Sequence, residues 1–277
     1  MHINLNIVIN CLVKNEAILL SSVLPIWKHY PVDKFVFFDD GSTDETAEVI
    51  DRVLDSRAVI IRGEIGARFN EAEFRGQMLR RSASIADLVL SLDADEVLSA
   101  NFFDHISEMF RLSANYQCRV RWYNLVSSVN YFRTDHAYRT NFVQALARPS
   151  AVAFNANAMR YHECTRLPQP HNPIKLLDGL GVIHLQALNL RFYVLKQLWY
   201  KHFEFSVYGK SVDEINSLYD PVVNNLKFSP RVVPRNVLGD FTFDPTVFDK
   251  VEQVKGYLSY IKRNFNSALV TFGSEFL

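Results

Sequence analysis

Residues 34–46 read KFVFFDDGSTDET, and the fold class follows from them. Lys34-Phe35-Val36-Phe37-Phe38 is a short apolar run without polar alternation, as expected of a parallel strand covered on both faces. The polar residues after it are Asp39 and Asp40, and Asp40-Gly41 is a turn signal. Ser42 and Glu45 then have the S-x-x-E spacing of a capping box, which predicts a helix directly behind the turn. Strand, tight polar turn and helix in that order make one β–α unit.

The same alternation recurs on both sides. Strands are predicted at 3–10, 58–61 and 88–92, with amphipathic helices at 17–29, 44–54 and 70–85 between them. Repeated β and α elements of this size predict an α/β fold with a mostly parallel, Rossmann-like sheet and helices on both faces. Ligands of such sheets bind beyond the carboxyl ends of the strands. Both acidic clusters of this chain fall at such ends.

After residue 116 the pattern loosens. Short β-like pieces lie at 118–123 and 151–154. A loop at 166–178 holds Pro168, Pro170 and Pro173 and reads as a connection or a lid. An apolar run at 181–185 precedes a helix at 190–208. A further loop region with Pro221, Pro230 and Pro234 leads to a final helix at about 246–264. The reading is a regular α/β half at 1–115, a looser half at 116–210, and a C-terminal helical extension at 211–277. The helix at 190–208 is rich in aromatic residues, which suits burial on most sides. Peripheral contact with a membrane is the competing expectation.

Lys plus Arg equals Asp plus Glu at 30 each, so the net charge is zero and nucleic acid is not an expected partner. The three cysteines, Cys11, Cys118 and Cys164, are distant from one another, which fits a reducing compartment better than a disulfide framework. No signal-peptide pattern opens the sequence, and no run of about 20 apolar residues is long enough to span a bilayer. These features predict a cytoplasmic location, with peripheral attachment to the inner face of a membrane left open.

The capping box accounts for Gly41, Ser42 and Glu45. It leaves Asp39 and Asp40 unexplained, because adjacent carboxylates at the end of an apolar strand repel one another. A ligand offering N–H or hydroxyl donors would account for them. The second cluster, Asp93-Ala94-Asp95-Glu96, follows the strand at 88–92. In extended chain, residues two apart point the same way, so Asp93 and Asp95 can aim both carboxylates at one point. Hard cations such as Mg2+ and Mn2+ take oxygen ligands and commonly bridge to substrate phosphates. Helix capping ahead of residues 101–111 is the structural alternative.

In combination, NIVINCLVKNEA, FVFFDDGSTDET and RFNEAEFRGQMLRRSASIADLVLSLDADE resemble the nucleotide-sugar-binding half of GT-A-fold glycosyltransferases, particularly family 2. The likeness covers roughly the first hundred residues, and it implies a nucleotide-sugar-binding half at 1–115 and an acceptor-binding and catalytic half at 116–210 of the same GT-A domain. It implies a nucleotide-sugar donor, a divalent metal cofactor (Mn2+ or Mg2+) and a carbohydrate or glycolipid acceptor. The first block departs from the family's commoner P-x-Y-N-E, having Val13-Lys14-Asn15-Glu16.

Carried over residue by residue, the resemblance puts Asp39 at the nucleotide base and Glu16 on the ribose side. Val13, Asn15 and Asp40 line the same nucleotide site, and Arg75 is a basic contact from the helix before the D-x-D. Asp93 and Asp95 match the D-x-D, with Asp95 as direct metal ligand. His184 in VIHLQ resembles the histidine that joins that metal, and Glu163 in Tyr161-His162-Glu163 resembles the catalytic carboxylate, with Asp178 the competing base. Arg191 and Lys196 could add contacts to the phosphates.

The implied reaction is a single displacement that inverts the sugar, with surface polysaccharide or glycoconjugate synthesis as its setting. Two rivals are a Mg2+-dependent phosphohydrolase and a catalytically degenerate GT-A binding module. A zinc site from His162, Cys164 and His171 is rejected, because the spacing fits no paired-ligand pattern.

Overall fold

A computed structural model describes residues 5–64, 70–135, 142–143, 146–149, 172–223 and 230–277. The strands are β1 (Ile7–Val13), β2 (Lys34–Asp39), β3 (Ala58–Arg62), β4 (Leu88–Ser91), β5 (Glu96–Leu98), β6 (Gln117–Val126), β7 (Ser128–Arg133), β8 (Phe142–Val143), β9 (Leu146–Ala147), β10 (Ile174–His184) and β11 (Pro230–Val232). The helices are α1 (Ala17–Trp27), α2 (Thr46–Leu54), α3 (Glu71–Ala83), α4 (Ile106–Leu112), α5 (Leu190–Tyr208), α6 (Val212–Val223), α7 (Arg235–Leu238), α8 (Val247–Lys250) and α9 (Glu252–Arg263). They form two compact units, each drawn from three segments. The first is Met1–Trp122, Phe142–Ile183 and Pro234–Phe241, and the second is Tyr123–Asn141, His184–Val233 and Thr242–Leu277.

The first unit is α/β with a mostly parallel sheet, as the alternation predicts. Its sheet has the order β3-β2-β1-β4-β9, with β3, β2, β1 and β4 parallel and β9 antiparallel at the end. Strand alternation sends successive side chains to opposite faces. On one face Val8, Val36 and Phe38 pack against Phe74 and Met78 of α3. On the other, Phe35 and Phe37 stack on Trp27 of α1, at centroid distances of 6.2 and 6.4 Å. Helices therefore cover both faces, which is why β1 and β2 are apolar almost throughout. β1 lies between β2 and β4, so the chain reverses its direction of travel across the sheet there, the place where open α/β sheets bind ligands.

In the second unit β7 pairs with β11 and with the end of β6. α5 begins where the Asn189 side chain accepts the Phe192 N–H at 2.9 Å, and it ends at Gly209 in the left-handed region. Its aromatic residues are largely absorbed by packing within this unit. Trp199 contacts Tyr257 and Tyr260, Phe203 contacts Tyr260, and Phe192 lies against Phe248 and Tyr257. Burial is the reading of the aromatic helix that this packing supports. Among the described residues, no helix is long and apolar enough to cross a membrane.

Several boundaries differ from expectation. β1 continues through Cys11 and Leu12 to Val13, because residues 8–13 keep a continuous parallel register with 34–39. The expected loop at 166–178 gives way to strand at Ile174, where β10 starts. The region after 208 contains α6 despite Pro221, since Ile215 and Tyr219 form an apolar face packed with Leu269 and Tyr200. The expected final helix is two, broken at Val251, whose backbone is extended (φ −65°, ψ 134°). The expected strand at 151–154 lies outside the described residues.

Candidate functional site

The loops that leave β1 and β2 are stitched together by side chains. Asn15 adopts a left-handed backbone (φ 55°), tolerable for Asn. Its Oδ1 accepts the Thr43 N–H at 2.8 Å, while its own N–H donates to Ser42 Oγ at 2.9 Å. The Glu16 N–H donates to Thr46 Oγ1 at 2.8 Å. Asp44 accepts from the Ala17 N–H through Oδ2 (3.1 Å) and from the Thr46 N–H through Oδ1 (3.0 Å). The capping box expected of Ser42 and Glu45 does not form. α2 starts later, at Thr46, and Asp44 takes the capping role because Ser42 is already engaged by the β1 loop.

Asp39 and Asp40 are both buried, and each meets a donor of its own. Asp39 Oδ1 accepts the Ser42 N–H at 2.8 Å, and Asp40 Oδ2 pairs with Lys14 Nζ at 2.9 Å. Alternation along the strand helps to separate the two partners. Burial raises the pKa of Asp40; Lys14 opposes the rise and Asp39 adds to it. Val13 lies opposite Asp39 in the parallel register, and its carbonyl accepts the Asp40 N–H at 2.9 Å. Each aspartate is thus met by a donor of the protein, and part of their mutual repulsion persists in the raised pKa of Asp40.

The turn after β4 is held from several directions. Asp93 is 35% exposed at its side chain and Asp95 is 5% exposed as a residue. Arg75, buried on α3, bonds to Glu71 through Nε at 2.8 Å and lies 3.6 Å from Asp93 Oδ1. Arg75 therefore supports the D-x-D turn, in addition to any contact with a nucleotide expected of it.

Glu96 is 0% exposed, and its Oε2 accepts the Asp93 N–H at 2.9 Å. Its Oε1 accepts from Trp122 Nε1 at 2.7 Å, and its carbonyl from Trp27 Nε1 at 2.9 Å. Cys11, in the middle of β1, has its thiol pKa raised well above the usual value by burial first, and then by Asp93 and Glu16. Arg75 lowers it and Glu96 raises it further.

Glu96, Trp27 and Trp122 were not picked out from the sequence as site residues. The available signal was an acid set directly against the apolar Val97-Leu98, where an unpaired carboxylate would be costly.

Of the remaining candidates, Asp178 on β10 forms a two-point ion pair with Arg121 of β6, at 2.7 and 3.0 Å. The Arg121 hydrogen bond lowers its pKa, with the Gly179 N–H contributing, against a smaller opposing effect of burial. His184, Arg191 and Lys196 belong to the second unit. His184 Nδ1 lies 2.7 Å from Asn124 Oδ1. An amide oxygen only accepts, so Nδ1 is the donor in this contact. Arg191 is exposed, and Lys196 Nζ lies 5.8 Å from the centroid of the Phe192 ring. Glu163, with His162, Cys164 and His171, lies outside the described residues.

Among the described residues, no group of three or more His, Cys, Asp or Glu side chains is arranged to hold a metal ion. Asp93 and Asp95 nonetheless offer the hard oxygen donors that Mg2+ and Mn2+ prefer. Mg2+ in particular is usually bound by one or two carboxylates, with substrate phosphates and water completing the shell. The donor set therefore fits a cation shared with a diphosphate.

No sequence-family model matches the chain, and no curated protein matches it in sequence. Its structure is similar to that of the mannosyltransferase PcManGT from Pyrobaculum calidifontis in complex with GDP-Man and Mn2+. That comparison has a TM-score of 0.49 and 13% identity, over 97% of this chain and 86% of that one. S. aureus TarS is similar at TM-score 0.48 and 10% identity, over 81% of this chain. This chain spans 44% of that TarS chain and 82% of its 1–349 segment, solved in complex with UDP. Glucosyl-3-phosphoglycerate synthase from Mycobacterium tuberculosis, in complex with Mn2+, UDP and glucosyl-3-phosphoglycerate, is similar over 44% of this chain, at 20% identity and TM-score 0.34.

Proposed function

We propose that the chain is a GT-A-fold, family 2-like glycosyltransferase that moves a sugar from a nucleoside-diphosphate sugar to an acceptor hydroxyl with inversion. The observation that carries this reading is the preformed acidic turn at 93–96 beyond β4, beside the stitched loops of β1 and β2. Carboxylates collected at the carboxyl ends of adjacent parallel strands, where the sheet order reverses, suit a nucleotide and its counter-ion. On this reading Asp39, with Val13, Asn15 and Asp40 around it, receives the nucleoside. Glu16 takes the ribose side, and Arg75 keeps a positive charge near the phosphates.

Asp93 and Asp95 would hold a divalent cation, with His184 as a further ligand through Nε2. Fixing Nδ1–H on a carbonyl-type oxygen is the usual support of a metal-binding histidine. Such a cation, when bound, neutralises charge growing on the leaving diphosphate. Arg191 and Lys196 would supply further positive charge there. Glu163 takes the proton of the acceptor hydroxyl as that oxygen attacks the anomeric carbon. The carbon–oxygen bond to the diphosphate breaks, and its electron pair leaves with the phosphate. Asp178 is the weaker candidate for this step, because Arg121 holds both its oxygens and depresses its basicity. A carbohydrate or glycolipid acceptor, a role in surface glycan synthesis, and a cytoplasmic or peripheral location complete the proposal.

The test is thermal unfolding with UDP, GDP, UDP-GlcNAc and GDP-Man, each with and without Mn2+. One nucleotide should raise Tm in a Mn2+-dependent way, and Asp95→Ala should abolish the rise. No stabilisation by any of them, with release of phosphate from simple phosphomonoesters, would favour the phosphohydrolase instead.

A further inference from the structure

Every polar group of Glu96 is used to hold the acidic turn. Its N–H donates to the Asp93 carbonyl at 3.1 Å, and its Oε2 accepts the Asp93 N–H at 2.9 Å, closing the turn on itself. Its carbonyl accepts from Trp27 of α1, and its Oε1 from Trp122 of β6. The side chain is fully buried, and a buried carboxylate is retained only where donors meet it. Both oxygens here face N–H groups, so the site accepts a carboxylate and disfavours its amide. Without Glu96, the Asp93 N–H would lose its acceptor at the residue that points the first carboxylate outward. We infer that Glu96 is a positioning residue that preorganises Asp93 and Asp95 for a divalent cation, and that the Trp122 indole keeps it in place. This rests on the cation-binding role proposed for the turn.

The chemistry of the pair supplies a test. Glu96→Gln keeps one acceptor and adds an NH2, which must face either the Asp93 N–H or the Trp122 indole N–H, donor against donor. Trp122→Phe removes one of those donors. In the double variant Glu96→Gln/Trp122→Phe the amide oxygen can therefore turn to the Asp93 N–H while its NH2 faces a ring that offers no opposing donor.

Mn2+ alone is titrated into the full chain, and the free ion is counted by its electron paramagnetic resonance signal. Circular dichroism and Tm establish that each variant is folded. Glu96→Gln is expected to weaken Mn2+ binding about 10- to 100-fold, the range for groups that support metal ligands. Trp122→Phe should weaken it less, and the double variant should bind more tightly than Glu96→Gln. A residue that only stabilised the fold would lower Tm without this non-additive recovery of affinity.

Wild-type affinity in folded Glu96→Gln, or a double variant weaker than Glu96→Gln, overturns the inference. Should Glu96→Gln not fold, unchanged affinity in Trp122→Phe overturns it. Asp95→Asn separates the two levels. Binding unchanged in that variant overturns the cation reading together with the inference. Binding lost there but intact in Glu96→Gln overturns the inference alone.

Discussion

Asp44, which follows β2, accepts the backbone N–H of Ala17, the first residue of the helix that follows β1, at 3.1 Å. With its other oxygen on the Thr46 N–H, one carboxylate serves the starts of two helices. Early N–H groups of a helix have no partner within it, and a negative charge there is also favoured by the helix dipole. The geometry of the β1 loop thus depends on a residue of the β2 loop.

Asp44→Ala should destabilise the protein by about 1–3 kcal/mol, the loss of one cap serving two helices. Asp44→Asn, which keeps an acceptor but only one oxygen, should lose less. Urea unfolding midpoints, compared at equal m-value, measure both. An unchanged midpoint in Asp44→Ala would show that water replaces the cap without loss.

Gly63 follows β3 and donates its N–H to the Asp39 carbonyl at 2.7 Å. A Cβ there would stand 3.0 Å from that carbonyl oxygen and 3.1 Å from Phe38 Cε1. Gly63→Ala must therefore push back the end of β2, at about 1–3 kcal/mol for overpacking. If Asp39 receives the nucleoside, the same variant should also shrink the nucleotide-induced rise in Tm, and thermal unfolding reads both effects.

Stability should fall on mild acidification because of His202. This residue is buried on α5, with Nδ1 2.8 Å from the Leu198 carbonyl, Phe265 stacked on its ring and the Asn266 N–H facing Nε2. Burial lowers its pKa, Lys201 lowers it further, and the Leu198 carbonyl opposes them. The unfolded chain, with a histidine pKa of about 6.5, then binds the proton more readily than the folded one. This contribution is complete above about pH 6.5 and is lost as pH falls toward the folded value, with a slope of at most about 1.4 kcal/mol per pH unit. Urea titrations at pH 7 and pH 5 should show the loss, and His202→Gln should flatten it.

Turnover separates the two candidate bases. Glu163→Gln should lower kcat about 100- to 10,000-fold, the usual range for loss of a general base. Asp178→Asn, which removes the partner of Arg121, should change kcat far less. The reverse order, measured under saturating donor and acceptor, would transfer the role to Asp178.

β1 to β4 and α1 to α3 could be read from local pattern because each is defined within a few residues. KFVFF is apolar on both faces, and the helices behind it carry a periodic apolar face. The aromatic helix at 190–208 was legible for the same reason. Pro221 misled because proline is a local signal, whereas α6 is held by the distant Leu269 and Tyr200. The break at Val251 in the final helix is likewise invisible to periodicity, which runs on through it.

Sequence alone established the α/β class and the order of the acidic motifs at strand ends, since both follow from short-range propensity and spacing. Tertiary structure decided what each acid does. Asp39 and Asp40 turn to different donors, Asp44 bridges to α1, and Asp178 is tied to Arg121, 57 residues away. Glu96 is fastened between Trp27 and Trp122, 69 residues before it and 26 after. Apart from that of Asp39 to Ser42, three residues on, these bonds join residues too far apart to leave a period or spacing in the chain. The bonds of Asp40 to Lys14 and of Asp44 to Ala17 exist only once the parallel sheet has set the ends of β1 and β2 side by side. Those of Asp178 to Arg121 and of Glu96 to Trp122 exist only once residues of β6 come against β10 and β5.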